Sequence, residues 1–160
     1  ENEFDVVFSN AVFHWISDHY ALLKNIHKVL KPQGLLVCEF GANGNIATIE
    51  NAFAKACNSL GYVYEPKFNF PVAEDFGKLL ENNGFVIDRI YDYDRPTVLK
   101  DNEQGLVNWM KQFFASELAV MPEYMQTMVF EQVEELTRDI LWNKEEWVAD
   151  YRRLRAIAHI

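Results

Sequence analysis

No apolar run in this 160-residue sequence approaches the ~20 residues needed to cross a bilayer, and nothing in it resembles a signal peptide, so no membrane partner is expected. Cysteine is scarce. Only Cys38 and Cys57 occur, in a strand-like and a helix-like stretch, which is too few for a disulfide framework and fits a reduced, cytoplasmic protein. The four histidines, at 14, 19, 27 and 159, lack the spacing beside Cys or carboxylates that a metal site requires, so no metal is expected. Positive charge is also short: 15 Lys and Arg stand against 24 Asp and Glu, a net charge of -9. Nucleic acid and anionic surfaces need clustered cations, and the basic cluster here is Arg152, Arg153 and Arg155 alone. In a strand, Arg153 and Arg155 share a face, which leaves room for a local anion site. Repeats, low-complexity tracts and flexible linkers are absent, so residues 1–160 read as one unit.

What the sequence has is apolar and aromatic. Hydrophobic residues make up 49% and aromatics 14%, with 12 Phe and four Trp, enough for a large core or an apolar pocket. Residues 1–8 read as a buried strand already under way, ending in the small residues Ser9-Asn10-Ala11. Asp18 is a plausible N-cap for a helix over Tyr20–Leu30, whose stripe is Leu22, Leu23, Ile26, Val29 and Leu30; Lys31-Pro32-Gln33-Gly34 ends it. Leu35–Phe40 is nearly continuous in apolar residues, as a strand covered on both faces would be. Gly41-Ala42-Asn43-Gly44-Asn45 breaks it, and Ile46–Leu60 returns to helical spacing. An aromatic loop (Tyr62, Tyr64, Phe68, Phe70) leads to a short helix over Ala73–Asn82 and a strand over Phe85–Tyr93. Amphipathic helices then fall near Glu103–Ala115 and Glu123–Leu141, before a closing strand over Ala149–Ile160. Strand alternates with helix until about residue 98, the rhythm of a doubly wound α/β sheet, and a helical insertion over 98–145 precedes the last strand.

Phe4-Asp5-Val6-Val7-Phe8-Ser9-Asn10-Ala11-Val12-Phe13-His14-Trp15 resembles the fourth strand, and the segment after that strand, of the Rossmann-like class I methyltransferases that use S-adenosylmethionine. Leu30-Lys31-Pro32-Gln33-Gly34-Leu35-Leu36 is similar to that family's turn into the fifth strand, with Gln33 in place of a glycine. Asp94-Arg95-Pro96-Thr97, Gly105-Leu106-Val107-Asn108-Trp109 and Asp150 to Ala158 look like the trans-aconitate methyltransferase branch. The resemblance implies the C-terminal half of a seven-stranded sheet in the order opening strand, Leu35–Phe40, C-terminal strand, Phe85–Tyr93. The C-terminal strand would run antiparallel to its neighbours. The family's glycine-rich cofactor turn and ribose-binding acid belong to earlier strands, roughly 80–100 residues at the usual size of a βαβ unit. This portion alone is therefore expected to bind S-adenosylmethionine weakly and to be inactive without them.

The resemblance also implies site residues. Ser9, Asn10 and Ala11, at the carboxyl end of a parallel strand, would line the cofactor's methionine end; the plainer alternative makes Asn10 a cap for the next segment. His14 and Trp15 would stand between cofactor and acceptor, His14 as a candidate proton acceptor or as an ordinary hydrogen-bond partner. Asn43, in the Gly/Asn-rich turn, would face the acceptor. Tyr151 and Arg153 match the branch pattern, and Arg153 could meet an acceptor carboxylate through a bidentate pair. Trp109, Phe113 and Phe114, at helical spacing, read as core. The expected activity is methyl transfer to a small-molecule acceptor, with a carboxylate the acceptor of the resembling branch. The rival is a non-catalytic half-domain that folds or self-associates, most simply as a homodimer pairing two opening strands through their exposed edge.

Overall fold

In the computed structural model, which describes residues 2–160, the opening apolar run forms strand β1 (Phe4–Asn10). A single 3-10 turn over Phe13–Trp15 comes next. Asp18 then caps helix α1 (His19–Val29), its carboxylate accepting from the Ala21 N–H at 2.9 Å. The chain continues through β2 (Leu30–Gly41), α2 (Ala47–Ser59), α3 (Ala73–Asn82), β3 (Val86–Asp94) and β4 (Thr97–Val98). Helices α4 (Gly105–Phe113), α5 (Ala115–Leu118) and α6 (Glu123–Leu141) precede β5 (Val148–Ala149) and β6 (Arg152–His159).

These elements group into two compact units: Glu1–Asn45 with Lys67–Arg95 and Arg152–Ile160, and Ile46–Pro66 with Pro96–Tyr151. The sequence reads as a single unit with an insertion over 98–145. That insertion falls wholly within the second unit, which also takes in α2.

The first unit is a four-stranded sheet in the order β1-β2-β6-β3. β1 runs parallel to β2, and β6 is antiparallel to both its neighbours, as expected. Against the seven strands of the resembling fold, the described residues contribute four to this sheet. Strand side chains alternate between faces. One set, Leu36, Cys38 and Phe40 of β2 with Leu154, Ala156 and Ala158 of β6, packs with Leu23 and Ile26 of α1 and Phe76 and Leu80 of α3. Each of these is at most 7% exposed, so a Leu or Phe here contributes about 1.5–3 kcal/mol of burial free energy.

The other set of side chains differs from expectation. Phe4, Val6 and Phe8 are 52%, 51% and 72% exposed, and Leu35 is 37% exposed. Neither β1 nor β2 is covered on both faces, because α1 and α3 reach only the face that carries Leu36 and Phe40.

The second unit has its own core. Phe53 of α2 stacks on Phe114 at 4.1 Å between centroids, with Tyr64 and Trp109 edge-on to the pair. Trp109 and Phe114 are buried, as their helical spacing implies. β4 and β5 form a two-stranded antiparallel ribbon closed by the Leu99 N–H donating to the Trp147 carbonyl.

Candidate functional site

The carboxyl ends of β1 and β2 lie side by side, with Ser9 opposite Cys38 and Asn10 opposite Glu39. Open α/β sheets bind ligands at such ends. Asn10 and Ala11 are exposed there and Ser9 is half-buried. Ala11 adopts φ +59°, a left-handed conformation that costs a residue with a Cβ about 1 kcal/mol or more. It is held by its N–H donating to the Glu39 carbonyl at 2.7 Å. The reversal aims the chain back across the strand ends, and the 3-10 turn then buries Phe13 and His14 together.

His14 is 8% exposed. Its Nδ1 accepts the Gly41 N–H at 3.0 Å, and its carbonyl accepts the Asn69 N–H at 2.9 Å. The rings of Trp15, Phe68 and Phe70 surround it at 5.7, 6.1 and 5.6 Å. Burial first, then the positive charge of Arg153 and the neighbouring His19, lower its pKa to about 4, so the ring is neutral at physiological pH. Gly41 is required by this packing, since a Cβ there would lie 2.3 Å from the Phe70 ring.

His19, 5% exposed, is a useful contrast. Its Nε2–H donates to the Phe13 carbonyl at 2.9 Å and its Nδ1 accepts from Asn69 at 3.3 Å, so both nitrogens are spent within the fold.

Beside Asn10, a cavity of about 380 Å³ opens among Phe8, Val37, Ile157, Glu39, Arg95 and Arg155. Glu39 is its hub. Oε2 accepts from Arg155 Nε at 2.6 Å and from the Tyr93 hydroxyl at 2.9 Å, and Oε1 from Arg95 at 3.3 Å. Arg155 Nη2 also pairs with Oε2. Burial alone would raise the Glu39 pKa, but the hydrogen bonds from Arg155 and Tyr93 and the two guanidinium charges outweigh it and hold the carboxyl below its usual range. The cavity thus carries cationic groups and an apolar floor, a combination suited to an anionic organic ligand.

The sequence-predicted residues divide. Ser9, Asn10, Ala11, His14 and Trp15 gather at the strand ends, with Trp15 47% exposed and edge-on to Phe68 at 4.8 Å. Arg153 pairs in register with Gly41 and Tyr93, and its charge reaches His14. Asn43 is exposed, with its N–H donating to the Pro71 carbonyl and its side chain making no hydrogen bond. Tyr151 belongs to the second unit, where its hydroxyl accepts from Trp109 Nε1 at 2.7 Å. Glu39, Tyr93 and Arg95 are further candidates, placed by the hydrogen-bond cluster, that no sequence pattern marks. A lone carboxylate in the apolar run Leu35–Phe40 is the one available signal. Among the described residues no group of three or more His, Cys, Asp or Glu could hold a metal ion, and no helix is long and apolar enough to cross a membrane.

Residues 1–38 match the profile of a family described as a methyltransferase domain. An uncharacterized methyltransferase of Schizosaccharomyces pombe is 30% identical over 176 residues, covering 98% of this chain and 62% of that protein. A malonyl-[acyl-carrier protein] O-methyltransferase of Priestia megaterium is 31% identical over 61 residues, 38% of this chain and 22% of that protein. A candidate methyltransferase of Bacillus halodurans has the same fold, with a TM-score of 0.57 at 13% identity over 99% of this chain and 65% of its own. The chain therefore spans less than two thirds of each of these proteins. The opening segment is thus similar to a methyltransferase domain, and nearly the whole chain is similar in sequence to one methyltransferase and in fold to another.

Residues at the strand ends could hold the methionine end of S-adenosylmethionine, the cofactor that the resemblance implies. Asn10, exposed and without a hydrogen bond from its side chain, and the buried imidazole of His14 offer polar groups at the strand ends, next to a backbone reversal at Ala11 that leaves the approach open.

Proposed function

We propose that this chain contributes the acceptor side of an S-adenosylmethionine-dependent methyltransferase acting on a small molecule that bears a carboxylate. The observation that carries the reading is that Asn10 borders the cavity of Glu39, Arg155 and Arg95 at the carboxyl ends of two parallel strands, with His14 bonded to Gly41 just beyond the second strand's apolar run. When bound, the cofactor supplies an already activated methyl group.

The chain's own residues have the remaining tasks. Ser9, Asn10 and Ala11 seat the methionine end of the cofactor. Trp15, Phe68 and Phe70 wall off water and orient the acceptor. Arg155 and Arg153 draw in its negative charge, and Asn43 is free to contact it at the rim. A carboxylate acceptor is already deprotonated, so these residues need supply no general base, and the value of the site would lie in alignment. The test is to incubate the full-length protein, with the glycine-rich cofactor turn in place, with methyl-labelled S-adenosylmethionine and a panel of small mono-, di- and tricarboxylic acids. Label recovered in base-labile methyl esters supports the reading, and label in none of them sinks it.

The exposed apolar side chains of β1 favour a second reading, a half-domain that self-associates through that strand without binding cofactor. Two copies of β1 paired antiparallel about a two-fold axis through Val6 would set Phe4 of each against Phe8 of the other. Calorimetry with S-adenosylhomocysteine separates the two readings, since measurable affinity discards this one.

A further inference from the structure

His14 has one nitrogen committed and one not. Nδ1 accepts the Gly41 N–H at 3.0 Å, so it carries no proton, and in the neutral ring the proton must sit on Nε2. That N–H makes no hydrogen bond with any described residue, whereas His19, five residues on, uses both of its nitrogens. Nor is it among the fully buried, unsatisfied polar atoms, a class whose one member among the described residues is Asp150 Oδ1. Nε2–H therefore reaches the surface at the carboxyl ends of β1 and β2, on a ring hemmed in by Trp15, Phe68 and Phe70. A donor held rigidly by a backbone bond on the opposite edge of its ring, inside an aromatic wall, is preorganised for a ligand.

We propose that His14 acts as a fixed hydrogen-bond donor from Nε2 to a carboxylate oxygen of the bound ligand, and not as a proton acceptor. A protonated ring would set an N–H at Nδ1 against the Gly41 N–H, so the backbone bond and a base role at this residue exclude each other. The carboxylate comes either from the methionine end of the cofactor or from the acceptor. The proposal takes the ligand class from the methyl-transfer reading, and the tautomer from the geometry alone.

Two substitutions separate a ligand contact from a structural one. His14→Asn places an amide oxygen near Nδ1, preserving an acceptor for Gly41 while deleting the outer donor. His14→Gln places an amide N–H near Nε2, preserving the donor while giving up the inner acceptor. Nitrogen-15 spectra of the histidine-labelled full-length protein read the tautomer, and titration with S-adenosylhomocysteine and separately with citrate tells the two sources of carboxylate apart. The expected result is a proton on Nε2 whose resonance moves with one of the two probes. His14→Asn should melt as the wild type does yet bind that probe about tenfold more weakly or worse, while His14→Gln binds it nearly normally despite melting lower. An unprotonated Nε2, a resonance indifferent to both probes, or His14→Asn binding as tightly as wild type overturns the proposal. Should His14→Asn fail to fold, the wild-type titration and His14→Gln still decide. Absence of methyl transfer with the Nε2 contact intact would discard the activity and leave this inference standing.

Discussion

Acidification should unfold the first unit through a ring that the fold keeps neutral. His14 has an ordinary pKa of 6.5 and is lowered to about 4 by burial, by Arg153 and by His19. Because the folded value lies below the unfolded one, the unfolded chain binds the proton more tightly. The stabilising contribution is complete above pH 6.5 and is lost as pH falls through the window down to about 4. At 1.36 kcal/mol per pH unit, the span between those values corresponds to roughly 3 kcal/mol, with little solvent screening for a side chain only 8% exposed. His19 is lowered too, chiefly by burial, with the Phe13 carbonyl and Asp18 opposing, so it acts in the same direction. Urea unfolding followed by tryptophan fluorescence, from neutral pH to about pH 4.5, reads the loss directly. His14→Asn keeps an acceptor for the Gly41 N–H but cannot titrate, so its stability should fall far less over that range. Parallel pH curves for wild type and His14→Asn would refute the assignment of the acid limb to this ring.

Gly41→Ala would place a Cβ 2.3 and 2.6 Å from Phe70 ring atoms and should cost about 1–3 kcal/mol in urea; an unchanged midpoint would contradict the packing around His14. Glu39→Gln leaves Arg155, Arg95 and Tyr93 around a neutral amide. Since both guanidiniums are about half exposed, the expected loss is only about 1–3 kcal/mol, again read by denaturation, and a stabilised variant would show that the cluster is strained. Asp18→Ala removes the acceptor for the Ala21 N–H and should cost about 1 kcal/mol, with unaltered stability showing that the cap contributes nothing. Sedimentation should show the chain associating through β1 and dissociating on Val6→Lys; a monomer at high concentration would remove that contact from consideration.

Local signals in the sequence translate well into structure. The Asp18 cap and the stripe beyond it mark α1, and α3 and α6 run over the residues their periodicity picks out, because each is set by spacing within a few turns. Long-range pairing is less visible. β2 begins at Leu30, not Leu35, because Phe4 pairs with Leu30 across an irregularity that Gln33 at φ +66° accommodates, despite Pro32. β4 and β5 are two residues each and exist only because Thr97–Val98 meets Val148–Ala149. At the site, Asn10 and His14 stand out by their place after a strand. Glu39 does not, because its meaning depends on Arg155, 116 residues away, and on Tyr93 in another strand. Nor could spacing reveal the Gly41–His14 bond, which ties a turn to the end of a strand 27 residues on.

The position of β6 sets a timetable for synthesis. It is hydrogen-bonded to β2 on one side and β3 on the other, in registers that bring Leu35 and Val86 to the same residue, His159. Until residues 152–159 leave the ribosome, β1 and β2 on one side and β3 on the other have no strand to join them. The face that will be buried, with Leu36, Phe40 and Leu80, must be held or shielded while the residues between Leu80 and β6 are still being made. Nascent chains of this protein should therefore engage holdase chaperones until that strand emerges and then release them abruptly, because one insertion completes both halves of the sheet.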